Sequence, residues 1–477
     1  MTRSQRYALV LTSLASLMVT LDMLVVTTAL PTMRAHLGAT VGQLEWTVNA
    51  YTLSFAVLLL PAAALGDRFG RRRLMAAGLG LFTLASATCA LVPSAGWLVA
   101  ARTVQGAGSA LVMALAMALL SAAFPPEGRA RALGLFSGIT GLATLGGPIV
   151  GGAVVQALSW PWIFWLNVPI GAALVPLVAR HLEESFGTRA RVDWGGLVLA
   201  AAGAFGLVYG LVMGGSAGWG STEVVVSLGA GACLLVLFAA WEQRAPEPML
   251  PAQLFARRTF SAGNGAGVLL YGAIYGTAFF MAQFLETGLH YGPLATGLRL
   301  MPWTATLFFV APRAGALVSR VGERPLMVLG LAAQALGFAW VALIAGPNLA
   351  YPTLVAPLVL AGCGVSMAMP AAQNAVIGAV PGALVGKASG TFNTLRLLGG
   401  SFGIAIAAGA FSQAGSYGSP SSFSHGFVAA MGACAALSLA ASLVALAVPG
   451  RKARRALILA GAAEPVALGR LETVEAR

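Results

Sequence analysis

The chain consists of long apolar runs separated by short polar or charged segments. A helix needs about 20 apolar residues to cross a hydrocarbon layer of roughly 30 Å, and most runs reach that length. The runs at 74–91 and 226–240 are apolar on every face. Strands of a membrane barrel would instead alternate apolar and polar residues over about ten positions. The pattern therefore predicts a bundle of membrane-spanning helices.

Turn residues and charge clusters divide the chain into fourteen candidate spans. The first is too long for the apolar core of a signal peptide and has no small-residue cleavage site before Pro31, so we interpret it as a span. The predicted spans are 7–30, 46–66, 74–92, 97–123, 131–157, 161–180, 194–213, 222–241, 261–285, 294–318, 325–345, 351–379, 387–411 and 425–448.

Composition supports a membrane location. Of the 477 residues, 58% are hydrophobic and only 9% are charged, and the mean hydropathy is +0.84. About a quarter of the residues of a soluble domain are charged. A soluble fold of this size has too little interior for so much apolar surface. We therefore expect lipid to surround most of the chain.

The net charge of +13 fits membrane topology better than nucleic-acid binding, because the 28 basic residues form short clusters between the apolar runs. Most clusters fall on alternate loops, as basic residues do on the cytoplasmic side of a membrane. We expect a multi-pass protein of the cell membrane, with both termini cytoplasmic, that contacts membrane lipids and no nucleic acid. The four cysteines and four histidines lack metal-ligand spacing, so no metal site is predicted.

An internal repeat indicates two related halves. The segment LGDRFGRRRLM at 65–75 recurs in outline as LVSRVGERPLM at 317–327, each after a predicted span. Eight predicted spans lie between the copies, where two fused six-span halves would place six. We expect an all-α membrane fold of two six-helix bundles with an inserted helix pair, a division typical of transporters. The predicted parts are an N-terminal bundle, the inserted pair, a C-terminal bundle and a cytoplasmic tail, at 1–185, 186–258, 259–450 and 451–477.

Five segments resemble motifs of one transporter family. GDRFGRRR at 66–73 resembles the loop between the second and third spans of the major facilitator superfamily. LDMLVVTTALP at 21–31 and WIFWLNVPIG at 162–171 resemble first-span and sixth-span motifs of its fourteen-span drug:proton antiporters. RTVQGAG at 102–108 resembles a fourth-span motif that members use in proton coupling. GPIVGG at 147–152 resembles the fifth-span motif of antiporters.

The resemblance implies a major facilitator fold and a proton-coupled antiporter that exports hydrophobic small molecules, such as drugs and antibiotics, across the cytoplasmic membrane. It implies that protons are the coupling ion and that the protein is not an enzyme. We also expect a monomer with no other cofactor. The chain departs from the family pattern at Leu24, Thr27 and Ala63, and the thirteenth span, 387–411, contains no acid. The missing acid argues against a site for dicationic drugs.

Three ionisable residues are candidates for proton coupling. Asp22 is the only acid deep inside a candidate span, where a carboxylate must be protonated, paired or exposed to a water-filled cavity. Arg102, several residues into the fourth span, could act on Asp22 or hold its water path. Glu286 ends the ninth span. Alternatively, Asp22 makes a polar contact between helices and Arg102 reaches the membrane interface. Glu286 is alternatively an ordinary loop acid.

Two motifs are candidates for gating and helix packing. In the loop motif, we expect Asp67 to interact with the positive N-terminal end of the third helix. The residues of this gating loop are Gly66, Asp67, Arg68, Gly70, Arg71 and Arg72. In the fifth span, small residues permit close helix packing and a proline bends the helix. The residues of this antiporter motif are Gly147, Pro148, Gly151 and Gly152.

The inward faces of several spans are candidates for a substrate cavity. Aromatic and methionine side chains repack around varied hydrophobic ligands, and a few amides orient them. Arg396 would suit a substrate anion or a buried acid, and a structural tie to a helix end fits its position equally well. The candidate lining residues are Asn49, Tyr51, Phe55, Met113, Met117, Tyr275, Phe279, Gln283, Asn374, Asn393 and Arg396.

Other functional classes fit the sequence less well. It has no HExxH, no nucleophile elbow and no phosphate-binding GxxxxGK(S/T) motif, which argues against a membrane enzyme and against ATP-driven transport. A channel would not predict the two-bundle repeat, and the fifth-span motif argues against a proton symporter. An exporter of an endogenous metabolite or lipid with the same fold remains the main alternative.

Overall fold

The computed structural model describes residues 1–187, 193–245, 252–380 and 384–450, and the predicted tail lies outside them. Within these ranges the protein is helical and has no β-strand. Fourteen long helical segments follow one another in the described chain. They are α1 Arg3–Leu37, α2 Val41–Phe69, α3 Arg71–Leu91, α4 Ala95–Ala123, α5 Pro126–Ala157, α6 Trp162–His181, α7 Trp194–Ala217, α8 Thr222–Glu242, α9 Arg258–Gln283, α10 Pro293–Val321, α11 Glu323–Ile344, α12 Pro352–Ile377, α13 Val385–Ala414 and α14 Pro420–Ala445.

The all-α membrane fold is confirmed. Among the described residues, thirteen of the segments are long and apolar enough to cross a membrane. The remaining one, α5, has 32 residues. At 1.5 Å per residue it is longer than the hydrocarbon core of a bilayer is thick.

Two helices begin earlier than the predicted spans because capping boxes fix their first turns. The side chain of Thr2 accepts from the backbone N–H of Gln5, and the side chain of Gln5 accepts from the backbone N–H of Thr2. Thr40 and Gln43 form the same arrangement at the start of α2. Glu45, which precedes the predicted second span, therefore lies inside α2, where it is buried.

The tenth span was predicted as one continuous helix, but the structure breaks it. It consists of four short helical pieces, Pro293–Arg299, Met301–Thr304, Thr306–Phe309 and Ala311–Val321. Proline is present in the first turn of three of these pieces. Because proline has no backbone N–H and clashes with the preceding turn, a helix that contains it breaks or restarts there.

The helices pack as two bundles with matching internal contacts. In the first bundle α1 packs on α5 and α3 on α4, and in the second α9 packs on α13 and α11 on α12. Between the bundles, α5 packs on α10 and α2 on α13. In the two halves α2 corresponds to α10 and α5 corresponds to α13, so the α5–α10 contact is equivalent to the α13–α2 contact. The packing therefore has the symmetry that the sequence repeat implies.

The pair α7 and α8 lies beside the contact between the bundles. The two helices pack against each other, and α7 also contacts α2 and α13. Much of α8 is exposed, including Val226, Val236 and Leu237. An apolar surface of this kind suits lipid. The domain boundaries predicted at residues 186 and 259 stay predictions.

One side of the molecule is closed by contacts between the bundles. We call the side where α1 begins and α14 ends the terminal side, and the opposite side the distal side. On the distal side, a single hydrophobic core includes Leu30 and Phe164 from the first bundle and Phe279 and Phe411 from the second. Apolar packing therefore joins the two bundles on this side.

A polar contact adds to this closure. The guanidinium of Arg34, near the end of α1, lies 3.9 Å from the ring centroid of Tyr417 in the connection between α13 and α14. The Tyr417 hydroxyl donates to the side-chain oxygen of Gln283 in α9. Burial raises the pKa of Tyr417 well above its usual value, so its hydroxyl stays protonated and can donate.

Candidate functional site

The site centres on a buried ion pair between Asp22 in α1 and Arg102 in α4. Arg102 Nη1 donates to Asp22 Oδ2 at 2.6 Å, and each side chain is only 1% exposed. An arginine does not lose its charge in proteins, so it needs an acceptor when it is buried. The carboxylate supplies that acceptor. The structure thus brings together two residues that the sequence indicated separately.

Two amides complete the surroundings of the Asp22 carboxylate. Its Oδ1 atom accepts from Gln105 Nε2 at 2.9 Å and from Asn167 Nδ2 at 2.7 Å. Asn167 Nδ2 also lies 3.1 Å from Ser86 Oγ. Together with Arg102, these residues come from α1, α3, α4 and α6, and all five are buried. Such a network stabilises a buried carboxylate and fixes its orientation.

Arg102 is held from several other directions. Its Nε donates to the Thr47 carbonyl at 3.3 Å, and its Nη1 donates to Gln105 Oε1 at 2.8 Å. The guanidinium lies 3.9 Å from the ring centroid of Tyr51, whose hydroxyl accepts from Ser109 Oγ at 2.8 Å. Tyr51, predicted to line a cavity, is therefore a packing partner of Arg102.

Sequence reasoning missed Gln105, Asn167 and Ser86 as members of the network. The signal for two of them was present, because Gln105 lies in the 102–108 segment and Asn167 in the 162–171 segment. Gln105 is one helical turn after Arg102, so both side chains lie on the same face of α4. Ser86 lies in a plain apolar run, and only the packing of α3 on α6 identifies it.

A cavity lies between the bundles, next to this network. The cavity has a volume of about 170 Å³. The first bundle contributes Thr20, Met23, Leu24, Thr27, Phe55, Met113 and Pro148. The second contributes Tyr271, Ile274, Tyr275, Ala278, Leu300, Trp303, Thr304, Leu307, Val365, Met369 and Arg396. Met23 follows Asp22 directly in α1, so the same helix segment carries the buried acid and part of the cavity wall.

Four of the predicted cavity residues line this cavity, namely Phe55, Met113, Tyr275 and Arg396. The Tyr275 hydroxyl lies 3.5 Å from the sulfur of Met23, across the boundary between the bundles. A wall of aromatic and methionine side chains suits ligands that are hydrophobic and varied in shape.

The other predicted cavity residues lie elsewhere. Phe279 belongs to the distal core and Gln283 is the partner of Tyr417. Met117 and Asn374 are exposed outside the cavity. The remaining two amides are on α2 and α13. Asn49 is fully buried without a hydrogen-bond partner for its amide atoms, and Asn393 donates to the Ser389 carbonyl at 2.9 Å.

The glycines of the antiporter motif lie where α5 meets other helices. A Cβ atom on Gly152 would lie 2.2 Å from the Pro293 carbonyl oxygen of α10. A Cβ atom on Gly297 of α10 would lie 2.3 Å from the Pro148 carbonyl oxygen. No real Cβ atom approaches a backbone atom so closely, so the bundles meet here only because these residues lack side chains.

The same motif also faces α1. A Cβ atom on Gly147 would lie 2.7 Å from Leu24 Cβ, and one on Gly151 would lie 2.3 Å from Thr28 Oγ1. Both partners are within two helical turns of Asp22 along α1. The motif thus joins the helix that carries the buried acid to the contact between the bundles.

The gating loop forms a compact unit on the terminal side. Asp67 lies in the last turn of α2 and pairs with Arg71 at 2.7 Å. Arg68 stacks on Phe69, with 5.2 Å between its guanidinium carbon and the ring centroid. At Gly66, an added Cβ atom would lie 2.0 Å from Leu115 Cδ2 of α4. The loop is therefore packed tightly against its own bundle.

Asp67 reaches the start of α3 at the side chain of Arg71, the first residue of that helix, rather than at its backbone N–H groups. Glu184, which follows α6, accepts instead from the backbone N–H groups of Arg72 at 2.9 Å and Arg73 at 3.3 Å. A carboxylate in this position complements the positive end of a helix. The chain turns at Gly70 with φ of 105°, which favours glycine, and the Glu184 carboxylate fills the space beside it.

We expect Glu184→Gln to lower the stability of the protein by about 1 kcal/mol, because the amide loses the negative charge that faces the α3 terminus. Thermal unfolding of the purified protein in detergent measures the change. The matched control is Glu183→Gln, at an exposed neighbour that contacts Ser4. Equal melting temperatures for the two variants would contradict the capping role.

Two further acids lie toward the distal side, apart from the Asp22 network. Glu286 lies in a π-helical turn, Phe284–Gly288, that continues α9, and its Oε1 has no hydrogen-bond partner. Glu45 is buried in α2 with an unpartnered Oε2, and sequence reasoning missed it because the predicted span began one residue later. Neither residue lines the cavity.

Two six-helix bundles that face each other across a central cavity define a membrane transporter. The family model of the Major Facilitator Superfamily matches residues 12–193 and 170–404. The chain belongs to this superfamily, as its motifs indicated.

Several curated relatives are similar over most of the chain. The multidrug resistance protein Stp of Mycobacterium tuberculosis is 35% identical over 85% of this chain and 76% of its own length. The tetracenomycin C resistance and export protein of Streptomyces glaucescens is 32% identical over 82% of this chain and 73% of its own length. The cephamycin export protein CmcT of Amycolatopsis lactamdurans is 36% identical over 84% of this chain and 83% of its own length.

Solved structures show the same fold. The crystal structure of a peptide transporter POT in complex with sulfate superposes with a TM-score of 0.68 at 15% identity. The match covers 92% of this chain and 94% of the other. At this identity the likeness establishes the fold and nothing about the substrate.

Proposed function

We propose that the protein is a proton-coupled antiporter that exports hydrophobic small molecules, such as drugs or antibiotics, across the cytoplasmic membrane. The observation that carries the proposal is the buried Asp22–Arg102 pair beside a largely apolar cavity. The names of the relatives, which refer to multidrug resistance and to antibiotic export, support the substrate class. In this proposal the proton is the coupling ion and no other cofactor is needed.

The coupling follows from the position of Asp22. A proton on the carboxyl group removes the charge that balances Arg102. It also occupies either Oδ2, which accepts from Arg102, or Oδ1, which accepts from Gln105 and Asn167. The contacts that hold α1 against α4 and α6 then weaken. Because Met23 and Leu24 line the cavity and Leu24 packs on α5, a shift of α1 changes both the cavity and the contact between the bundles.

Alternating access then requires that the bundles separate on one side at a time. We assign the terminal side to the cytoplasm, because the basic gating loop lies there. The distal side then faces outward and is closed in this structure by the distal core and the Arg34–Tyr417 contact. The cycle begins on the cytoplasmic side, where Asp22 releases its proton and the substrate is loaded. The distal side then opens, the substrate leaves and Asp22 takes up a proton from outside, which the return to the first state carries to the cytoplasm.

Growth of cells that express the protein tests the exported class. A panel of hydrophobic antibiotics and dyes is titrated on cells with the protein, with Asp22→Asn and with empty vector. The proposal predicts that the wild type alone raises the inhibitory concentration for a subset of the compounds. If no compound separates the wild type from the empty vector, the exported class is wrong.

A further inference from the structure

Arg396 differs from every other side chain of the cavity. Among the described residues that line the cavity, it is the only one with a charge. Its Nε atom has no hydrogen-bond partner, and no ion pair is formed with it in the described chain. Its guanidinium lies 5.3 Å from the ring centroid of Tyr271 and hydrogen-bonds to that side chain, which is neutral and leaves the charge unbalanced. The contrast is Arg102, which is paired with a carboxylate.

The hydroxyls of the three threonines in the wall and of Tyr275 already have partners. The hydroxyls of Thr20 and Thr27 donate to backbone carbonyls of their own helix at 2.8 and 2.7 Å. The hydroxyl of Thr304 does the same at 3.3 Å, and that of Tyr275 faces the Met23 sulfur. The guanidinium, which has a free Nε–H and no carboxylate partner, is therefore the strongest donor that a molecule in the cavity would meet.

We propose that the cavity selects hydrophobic molecules that carry one negative charge, such as a carboxylate, and that Arg396 binds this charge. The proposal rests on the exporter function and names the substrate class. An arginine in apolar surroundings is costly until an anion satisfies it, and a carboxylate can do so with two parallel hydrogen bonds. A cationic substrate would instead be repelled by this positive charge, because no acid is present among the described residues that line the cavity.

The charge of the substrate has a consequence for the driving force. Export of a monovalent anion in exchange for one incoming proton moves two positive charges inward per cycle. Exchange of a monovalent cation for one proton moves none. An inside-negative membrane potential therefore drives the export of an anion in addition to the pH gradient.

Binding of three probes with the same apolar body tests the proposal. The probes are 1-pyrenebutyrate, 1-pyrenebutanol and 1-pyrenebutylamine, which are an anion, a neutral molecule and a cation at pH 7.5. Their dissociation constants are measured by calorimetry on the purified protein in detergent, with a protein-free blank for partition into micelles. The variants are Arg396→Met, which removes the charge, and Arg396→Lys, which keeps it. The control is Arg299→Met, at an arginine of α10 that stacks on Tyr291 outside the cavity.

We expect the wild type to bind the carboxylate most tightly. Arg396→Met should weaken carboxylate binding about tenfold to a hundredfold, the range for a hydrogen bond to a charged group. Binding of the neutral probe should change little, Arg396→Lys should restore part of the preference, and Arg299→Met should match the wild type. Equal effects of Arg396→Met on all three probes, a preference for the amine or no binding of the carboxylate would overturn the proposal.

Transport measurements distinguish failure of the anion site from failure of the proposed exporter function. Carboxylate binding that depends on Arg396, without any pH-driven flux of the probe, would keep the anion site and reject the antiport mechanism. Proton-driven export of cationic or neutral compounds that is unaffected by Arg396→Met would keep the antiport mechanism and reject the anion site.

Discussion

Asp22→Asn is expected to reduce transport driven by a pH gradient to the level of protein-free vesicles. The amide has nearly the shape of the carboxyl group and can still accept from Asn167 at its oxygen. It cannot take up and release a proton, and it brings no negative charge to Arg102. Flux of a compound identified in the growth panel, measured in proteoliposomes, gives the result.

Loss of folding must be separated from loss of coupling in this experiment. Removal of one partner of a buried ion pair costs about 3–5 kcal/mol, because the other charge is left uncompensated. The double variant Asp22→Asn with Arg102→Gln removes both charges and should recover stability without recovering transport. Glu183→Gln removes an exposed acid that contacts Ser4 outside the network and the gating loop, and it should keep proton coupling. Gradient-driven flux at the wild-type level in a folded Asp22→Asn protein would exclude Asp22 from the mechanism.

Gly152→Ala is expected to have the second largest effect, because it prevents the closed contact between α5 and α10. The new Cβ atom would lie 2.2 Å from the Pro293 carbonyl oxygen, and a backbone atom cannot move aside as a flexible side chain can. Overpacking of this kind costs about 1–3 kcal/mol, and the cost falls only on the state in which the distal side is closed. We expect the distal side to open and transport to fall about fivefold to a hundredfold, since about 1.4 kcal/mol changes a population tenfold.

A cysteine reporter distinguishes this opening from general damage. Ala39→Cys is placed in the distal connection between α1 and α2, at a side chain that is 6% exposed and belongs to the distal core, and Cys233, an exposed cysteine, is replaced by serine. A membrane-impermeant maleimide should then label the reporter faster in Gly152→Ala than in the parent. The matched control is Gly146→Ala in the same helix, where an added Cβ atom meets nothing within 4 Å. Normal transport by Gly152→Ala would show that the two helices do not need this contact.

The fold was largely predictable because its determinants are local in the sequence. A lipid-exposed helix must satisfy its own backbone groups, so each span is visible as one apolar run. The repeat at 65–75 and 317–327 then indicated two bundles. The break in α10 was less visible, because the prolines Pro302 and Pro312 lie within an apolar run and membrane helices tolerate proline when neighbours satisfy the freed groups.

The site was predictable only in part, because it is made by packing between distant segments. Asp22 and Arg102 are unusual in any membrane span, so composition alone identified them. Their contact with each other, and with Asn167, depends on how α1, α4 and α6 meet in space. Which residues line the cavity depends on which face of each helix points toward it. Phe55 lines the cavity, whereas Tyr51, one turn earlier in α2, packs under Arg102, and no pattern in α2 separates the two positions.

The central claim of exchange for protons is tested most directly by the direction of the gradient. Purified protein is reconstituted into vesicles, and uptake of a compound identified in the growth panel is followed with the interior acidic, with the interior alkaline and after nigericin collapses the gradient. Antiport predicts accumulation only when the interior is acidic, since outgoing protons then drive the compound inward, and no accumulation by Asp22→Asn. Accumulation that requires an alkaline interior would indicate symport, and accumulation that survives nigericin would contradict proton coupling altogether.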